Sequence, residues 1–186
     1  MTDLWDEWER ITRFLESARV AFARERATWE SLGLVATNET TITARRDQVT
    51  YTTGLTDHLR AIADEEILHG AVLVNTYALT QWAAAEHLGT EIKFQQGIET
   101  WGEKLLVAND RTWDTVRGGL AGIAEAAVAR NAFAHGVRQI DEATANRLER
   151  AGARPRTVGS SINLTYAQLR GHRLRLRSLL HQGGLG

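Results

Sequence analysis

Proline occurs once in these 186 residues, at Pro155, and cysteine does not occur at all. Proline is the strongest breaker of a helix interior, costing about 3 kcal/mol there, so nearly the whole chain is open to long helices. The apolar spacing uses that freedom. Leu4, Trp8, Ile11, Leu15, Ala18, Phe22 and Trp29 recur mostly at steps of three and four, which predicts one helix over residues 3–31 with a single buried face. Asp3 suits its N-cap, Asp6, Glu7 and Glu9 suit the positive end of its dipole, and Gly33 closes it.

Residues 34–56 change character. They are rich in Thr and lack a helical stripe, which predicts a long loop or a small hairpin pairing Ile42–Ala44 with Val49–Tyr51. Thr56 or Asp57 then caps a long helix to about Leu88, closed by Gly89. A shorter helix is expected from about Ile98 to Ala108, and another from Arg111, capped by Asp110, to about Ala134. Gly118, Gly119 and Gly122 fit places where another helix passes close. A short helix over 141–151, a loop around Pro155, a brief extended stretch at Ser160–Thr165 and a final helix to about His181 complete the pattern. Thr165 and Gln168 have the spacing of a capping box. The expectation is an all-α helical bundle of four to five main helices with a Thr-rich loop or hairpin insertion, one domain over 1–186, and a flexible tail at 183–186.

Lys and Arg number 22 against 23 Asp and Glu, but the balance is uneven along the chain. Residues 1–110 hold 10 basic and 18 acidic side chains, a net of −8, whereas residues 111–186 hold 12 and 5, a net of +7. The near-zero total argues against coating nucleic acid non-specifically, yet leaves room for one local phosphate-facing surface. Twenty of the 22 basic residues are Arg, whose planar fork suits phosphate, although GC-rich coding produces the same bias. Without Cys there is no disulfide, thiolate metal site or Cys nucleophile. No apolar run approaches the ~20 residues of a membrane span, and the acidic N-terminus is not that of a signal peptide. A cytoplasmic location is the default.

The segment of most chemical interest is Arg130-Asn131-Ala132-Phe133-Ala134-His135-Gly136. Asn131 directly follows the Arg, Gly136 directly follows the His, and the segment lies where a long helix should stop. On an ideal helix Arg130 and His135 point about 140° apart, so they converge only if His135 lies at or beyond the helix end, where Gly136 lets the chain turn. Arg175 and His181 fit a looser version of the spacing but lie in a run of Leu and Arg.

Here the chain resembles the HEPN superfamily, helical bundles with an Arg-(Asn/Asp/His)-x(3–5)-His motif at the end of a core helix. The resemblance extends over residues 57–181, with 1–56 poorly matched. It implies metal-independent RNA cleavage at a composite site formed by two motifs across a homodimer, with no cofactor. His135 would act as general acid or base on the ribose 2′-OH or the leaving 5′-oxygen. Arg130 would hold the phosphate and its developing charge, and Asn131 would bond a backbone group or fix the imidazole. Arg138 is the expected RNA contact. The product would be a 2′,3′-cyclic phosphate, with DNA inert for want of the 2′-OH. The family setting is a toxin or anti-phage defence component checked by an antitoxin protein. Two other readings stand beside it. One is a non-catalytic HEPN-like interaction module, an antitoxin or regulatory subunit, that binds a partner through 34–56. The other is purely structural, with His135 serving a helix C-terminus and Arg130 paired to Glu125 or Glu142.

Other clusters are weaker. Glu66-Ile67-Leu68-His69 has the Glu-x-x-His spacing of di-iron bundles, but those need a second copy and none exists. Arg170, Arg173 and Arg177 share a face of the last helix, a solvated stripe or an RNA-contacting one. Trp5 and Trp8 beside the acidic first turn are core, dimer contacts or a partner surface.

Overall fold

A computed structural model describes residues 3–33, 39–89 and 97–186. The expected residues 34–38 of the Thr-rich insertion lie outside this set. Among the described residues there are seven α-helices and one two-stranded hairpin, rather than four to five helices. No helix is long and apolar enough to cross a membrane. The chain was expected to form one domain; it divides into two compact units, residues 12–65 and residues 1–11 with 66–186.

The first unit holds most of α1 (Leu4–Ser31), the hairpin β1 (Thr41–Arg46) and β2 (Val49–Gly54), and α2 (Leu55–Ala63). The strands are antiparallel with Ile42 opposite Thr53, Ala44 opposite Tyr51 and Arg46 opposite Val49. The two-residue loop places Asp47 and Gln48 at φ of 51° and 66°, the pair of positive angles that matches the right-handed twist of a hairpin. A Thr43–Thr52 hydroxyl contact at 3.2 Å joins the strands. Leu55 and Ile62 of α2 are buried. Arg19 of α1 donates to Glu65 at 2.7 Å, and Glu25 accepts from the Trp29 indole at 2.7 Å while lying 3.3 Å from His58.

The expected helix over 57–88 is broken: α2 ends at Ala63, and α3 begins afresh as Glu66–Leu88. The Asp64-Glu65-Glu66 run carries no Gly or Pro, so no local breaker marks the spot. What fixes it lies far along the chain. Glu66 Oε1 accepts the Leu164 backbone N–H at 2.7 Å, and His69 Nδ1 donates to the Leu164 carbonyl at 2.9 Å. The Glu-x-x-His pair thus clamps both backbone groups of one residue in the extended stretch before the last helix.

In the second unit α3, α5 (Gly119–His135) and α7 (Tyr166–Gln182) pack against one another, with α4 (Ile98–Val107) against all three and α6 (Glu142–Arg150) against α5. The start of α5 corrects the expectation of a helix from Arg111. Asp110 has φ of 53° and is no cap, Trp113–Thr115 makes one 3₁₀ turn, and Gly118 and Gly119 both take left-handed angles, at φ of 78° and 58°. A side chain on Gly122 would meet Arg175 Nε at 2.8 Å, so what passes closely there is the guanidine end of an α7 side chain rather than a helix backbone. Five alanines of α5 (Ala124, Ala126, Ala127, Ala129, Ala132) are buried, which lets its neighbours approach. Gly70 of α3 leaves room for the Phe133 ring of α5 where a Cβ would collide. The capping box read at Thr165 and Gln168 is formed in full, and Asp141, not read as a cap, accepts the Thr144 N–H at 2.8 Å. The tail expected to be flexible is fastened, since the Gly183 carbonyl accepts from Asn109 Nδ2 at 2.9 Å and Leu185 N–H donates to Leu180 at 3.0 Å.

Burial, and then the neighbouring Arg175, push the His172 imidazole down to about 4. Its folded value lies below that of the unfolded chain, so between pH 6.5 and 4 the unfolded state binds the extra proton and stability falls with pH. Urea unfolding is expected to lose about 1.5 kcal/mol between pH 6.5 and pH 5, above the range where carboxylates titrate. His172→Gln should flatten that loss; an equal slope in the variant would assign it to other groups.

Candidate functional site

Arg130 and Asn131 lie near the end of α5, and both face a cavity of about 550 Å³. Its other walls come from Tyr77 and Gln81 of α3, Glu99 of α4 and Arg147 and Arg150 of α6. The Arg130 guanidinium lies over the Tyr77 ring at 4.9 Å, and its Nη1 donates to Asn131 Oδ1 at 2.9 Å. Its Nε is buried with no hydrogen-bond partner among the described residues. Asn131 therefore orients the arginine, not the imidazole. Neither Glu125 nor Glu142 pairs with Arg130; Glu125 accepts from Arg175 at 2.8 Å.

Tyr77 is itself held by Trp101 of α4, edge-on at 6.5 Å. Burial raises the Tyr77 phenol to about 12, against the opposing pull of Arg130 and Arg147, so it stays neutral and serves as a hydrogen-bonding wall. Arg147 grips Glu99 through two parallel bonds of 2.6 and 2.8 Å. Burial works to raise the Glu99 carboxyl, but the Arg147 fork outweighs it and holds the group below the usual carboxylate value. The same fork raises Arg147 above its ordinary value. Arg150, one turn on and exposed, donates only to the Asn146 carbonyl, at 3.2 Å. Three guanidiniums and one carboxylate thus face one cavity; Arg147 bonds both oxygens of that carboxylate, and Arg150 acts on it through its field alone.

His135 is the last residue of α5, and Gly136 caps it in the left-handed conformation at φ of 71°. The helix stays regular through His135, so the 140° separation from Arg130 persists. His135 is exposed, is not among the residues lining the Arg130 cavity, and makes no hydrogen bond or ion pair among the described residues. Within one chain the two motif residues do not meet.

Arg138 is committed elsewhere. It donates to Glu66 Oε2 at 2.6 Å and stacks over the Phe133 ring at 4.4 Å, tying the segment after α5 to the start of α3. Of the basic stripe of the last helix, Arg170 and Arg177 are exposed and Arg173 is buried. Arg173 is 8% exposed, lies over the Trp8 ring and donates to the Trp8 carbonyl, and Arg177 lies over Trp5, which stacks on His181 at 4.7 Å. The +7 portion of the chain therefore gathers Arg147 and Arg150 around Arg130 and distributes others to internal contacts. Among the described residues no cluster of three or more His, Cys, Asp or Glu is placed to hold a metal ion.

Sequence reasoning missed Tyr77, Glu99, Arg147 and Arg150. The one local signal was the spacing of Arg147 and Arg150, three apart on the short helix that follows the motif. Compared with known proteins, the chain matches no family model, no curated protein and no solved structure.

Proposed function

We propose that this protein is a metal-independent endoribonuclease that acts as a homodimer, in the setting of a toxin or anti-phage defence component. The observation that carries the reading is Arg130. Its guanidinium lines an open cavity, oriented by Asn131 and Tyr77, and its described hydrogen bond is the one to Asn131 through Nη1. A planar cation held this way suits an incoming anionic acceptor, and the oxygens of a phosphodiester supply one. His135, exposed at a helix end, is free to reach a substrate. An imidazole there takes the proton of a ribose 2′-OH while the Arg130 cation stabilises charge on the non-bridging oxygens. The 2′-oxygen bonds to phosphorus, the 5′-oxygen leaves with a proton from a second imidazole, and a 2′,3′-cyclic phosphate remains. Because Arg130 and His135 of one chain diverge, the second imidazole and the completed site come from a second copy of this chain. Arg138, expected as an RNA contact, acts in this account as a positioning residue for the end of α5.

The test is direct. Purified protein incubated with total RNA and EDTA should produce fragments ending in 2′,3′-cyclic phosphate and 5′-hydroxyl, and should leave DNA of the same length intact. Intact RNA, or cleavage abolished by EDTA, would contradict the reading.

One observation favours a second reading, a non-catalytic module that binds a partner protein. Val49 and Tyr51 lie on the same face of β2 and are 49% and 62% exposed. Paired apolar side chains on one open strand face offer a partner protein a place to bind. Under that reading the protein co-purifies with a partner through the hairpin, and replacing Val49 and Tyr51 by Thr releases it.

A further inference from the structure

Two cavities lie along α5. Arg130 and Asn131 face the one described above, whereas Glu125, Val128 and Ala129 face a second, of about 370 Å³. Its other walls are α7 and the segment between α6 and α7. That volume is the scale of a small-molecule site. The apolar lining includes Val128, Ala129, Ile140, Leu148 and Ile162, all of them buried.

The polar groups that converge on this apolar bed are mostly donors. Arg175 Nη1 donates to Glu125 at 2.8 Å and lies 3.3 Å from His172 Nδ1. An arginine only donates, so His172 Nδ1 is the acceptor and the neutral imidazole carries its proton on Nε2. His172 is 8% exposed, and that Nε2–H makes no hydrogen bond among the described residues. Gln168 accepts the Thr165 N–H through Oε1, which leaves its NH₂ for the cavity. Arg156 reaches the rim from the loop and has no carboxylate partner among the described residues. Two arginines against Glu125 leave the lining with a net charge of about +1.

Gly171 is an independent sign. It shares a face of α7 with Gln168, His172 and Arg175, at steps of three and four, and lines the cavity with them. Only proline is a poorer residue for a helix interior. Its φ is not in the left-handed region, and a Cβ there would meet no atom within 4 Å. Neither the backbone nor the packing of this chain calls for glycine at 171; its effect is to keep the α7 wall of the cavity open.

We propose that this second cavity binds an organic monocarboxylate with a compact apolar body. Arg156, His172 Nε2 and the Gln168 amide take the carboxylate, and the body lies on the buried aliphatic bed beside Gly171. The excess of donors and the single net positive charge select a monoanion, and the apolar lining selects one that carries carbon to bury. The proposal uses neither Arg130 nor His135, so it stands or falls separately from RNA cleavage.

Calorimetry on the full chain at pH 7.5 tests it, with hexanoate as the probe. Hexanoate should bind. Hexanol, which keeps the body without the charge, and acetate, which keeps the charge without the body, should each bind at least about tenfold more weakly. Arg156→Gln should weaken hexanoate at least about tenfold, whereas Arg154→Gln, on the same exposed loop but outside the cavity lining, should leave it unchanged. Gly171→Leu should fill the space and remove binding, with a urea midpoint no lower than the parent's, because the new side chain enters an opening and replaces a poor helix former. No binding of hexanoate, hexanol or acetate bound as tightly, or an Arg156→Gln or folded Gly171→Leu variant that binds like the parent would each overturn the proposal.

Discussion

Replacing His135 by alanine is expected to slow RNA cleavage by about 100- to 10,000-fold, the usual contribution of a positioned general acid or base. It should leave the unfolding midpoint where it was. His135 is exposed at the last position of α5 and makes no hydrogen bond or ion pair among the described residues, so nothing in the fold depends on its ring. Exposed positions without such partners change stability by about half a kcal/mol at most. The pairing of a large kinetic effect with an unchanged urea midpoint is what a catalytic imidazole requires. A histidine kept only for its contact with the helix dipole would show the reverse, a loss of up to about 1 kcal/mol in stability and no change in rate.

Trp101→Ala should do the opposite. Trp101 is 1% exposed in α4 and braces Tyr77 edge-on. Truncating a buried Trp removes its transfer energy and leaves a cavity, about 3–5 kcal/mol, out of a total near 5–15 kcal/mol for a domain of ordinary stability. The variant should therefore unfold at a much lower urea concentration, and what remains folded should lose the Tyr77 platform beneath Arg130. Its indole Nε1 is buried without a partner among the described residues, so Trp101→Phe, which removes that donor while keeping a ring, should be far milder. A Trp101→Ala loss below 1 kcal/mol would mean that α4 is not integral to the core.

The cap of α7 was legible because a cap is a local arrangement: Thr165 bonds the backbone N–H three residues on. The Thr-rich hairpin was legible for the same reason, although the first strand runs past the expected segment at both ends and the second runs three residues past its far end, to Gly54. What the sequence concealed was non-local. The break between α2 and α3 answers to Leu164, 98 residues from Glu66. The burial of Arg173, within a stripe whose Arg170 and Arg177 stay exposed, was hidden because the ring that covers it, Trp8, comes from the far end of the chain. The delayed start of α5 did have a local sign, the adjacent Gly118 and Gly119, read as a packing device when both were also needed for positive φ.

The candidate site divides along the same line. Arg130, Asn131 and the helix end at His135 were visible as a motif and a closing glycine. The cavity itself was not, because it is made by setting α6 beside α5 so that Arg147 and Arg150 face Arg130, with Glu99 arriving from α4. The charge split along the sequence pointed to the right third of the chain and overstated the result, since four of its arginines (Arg138, Arg173, Arg175 and Arg177) are occupied by Glu66, Trp8, Glu125 and Trp5.

The central claim is that two copies of the motif complete one site, each chain supplying an imidazole. Mixing wild-type chains with a tenfold excess of His135→Ala chains, allowing subunits to exchange, and measuring RNA cleavage per wild-type chain tests it most directly. In a two-fold dimer nearly every wild-type chain then pairs with a variant, so the account predicts a fall of about tenfold. Activity per wild-type chain that stays constant would show that each chain cuts alone, and would contradict it.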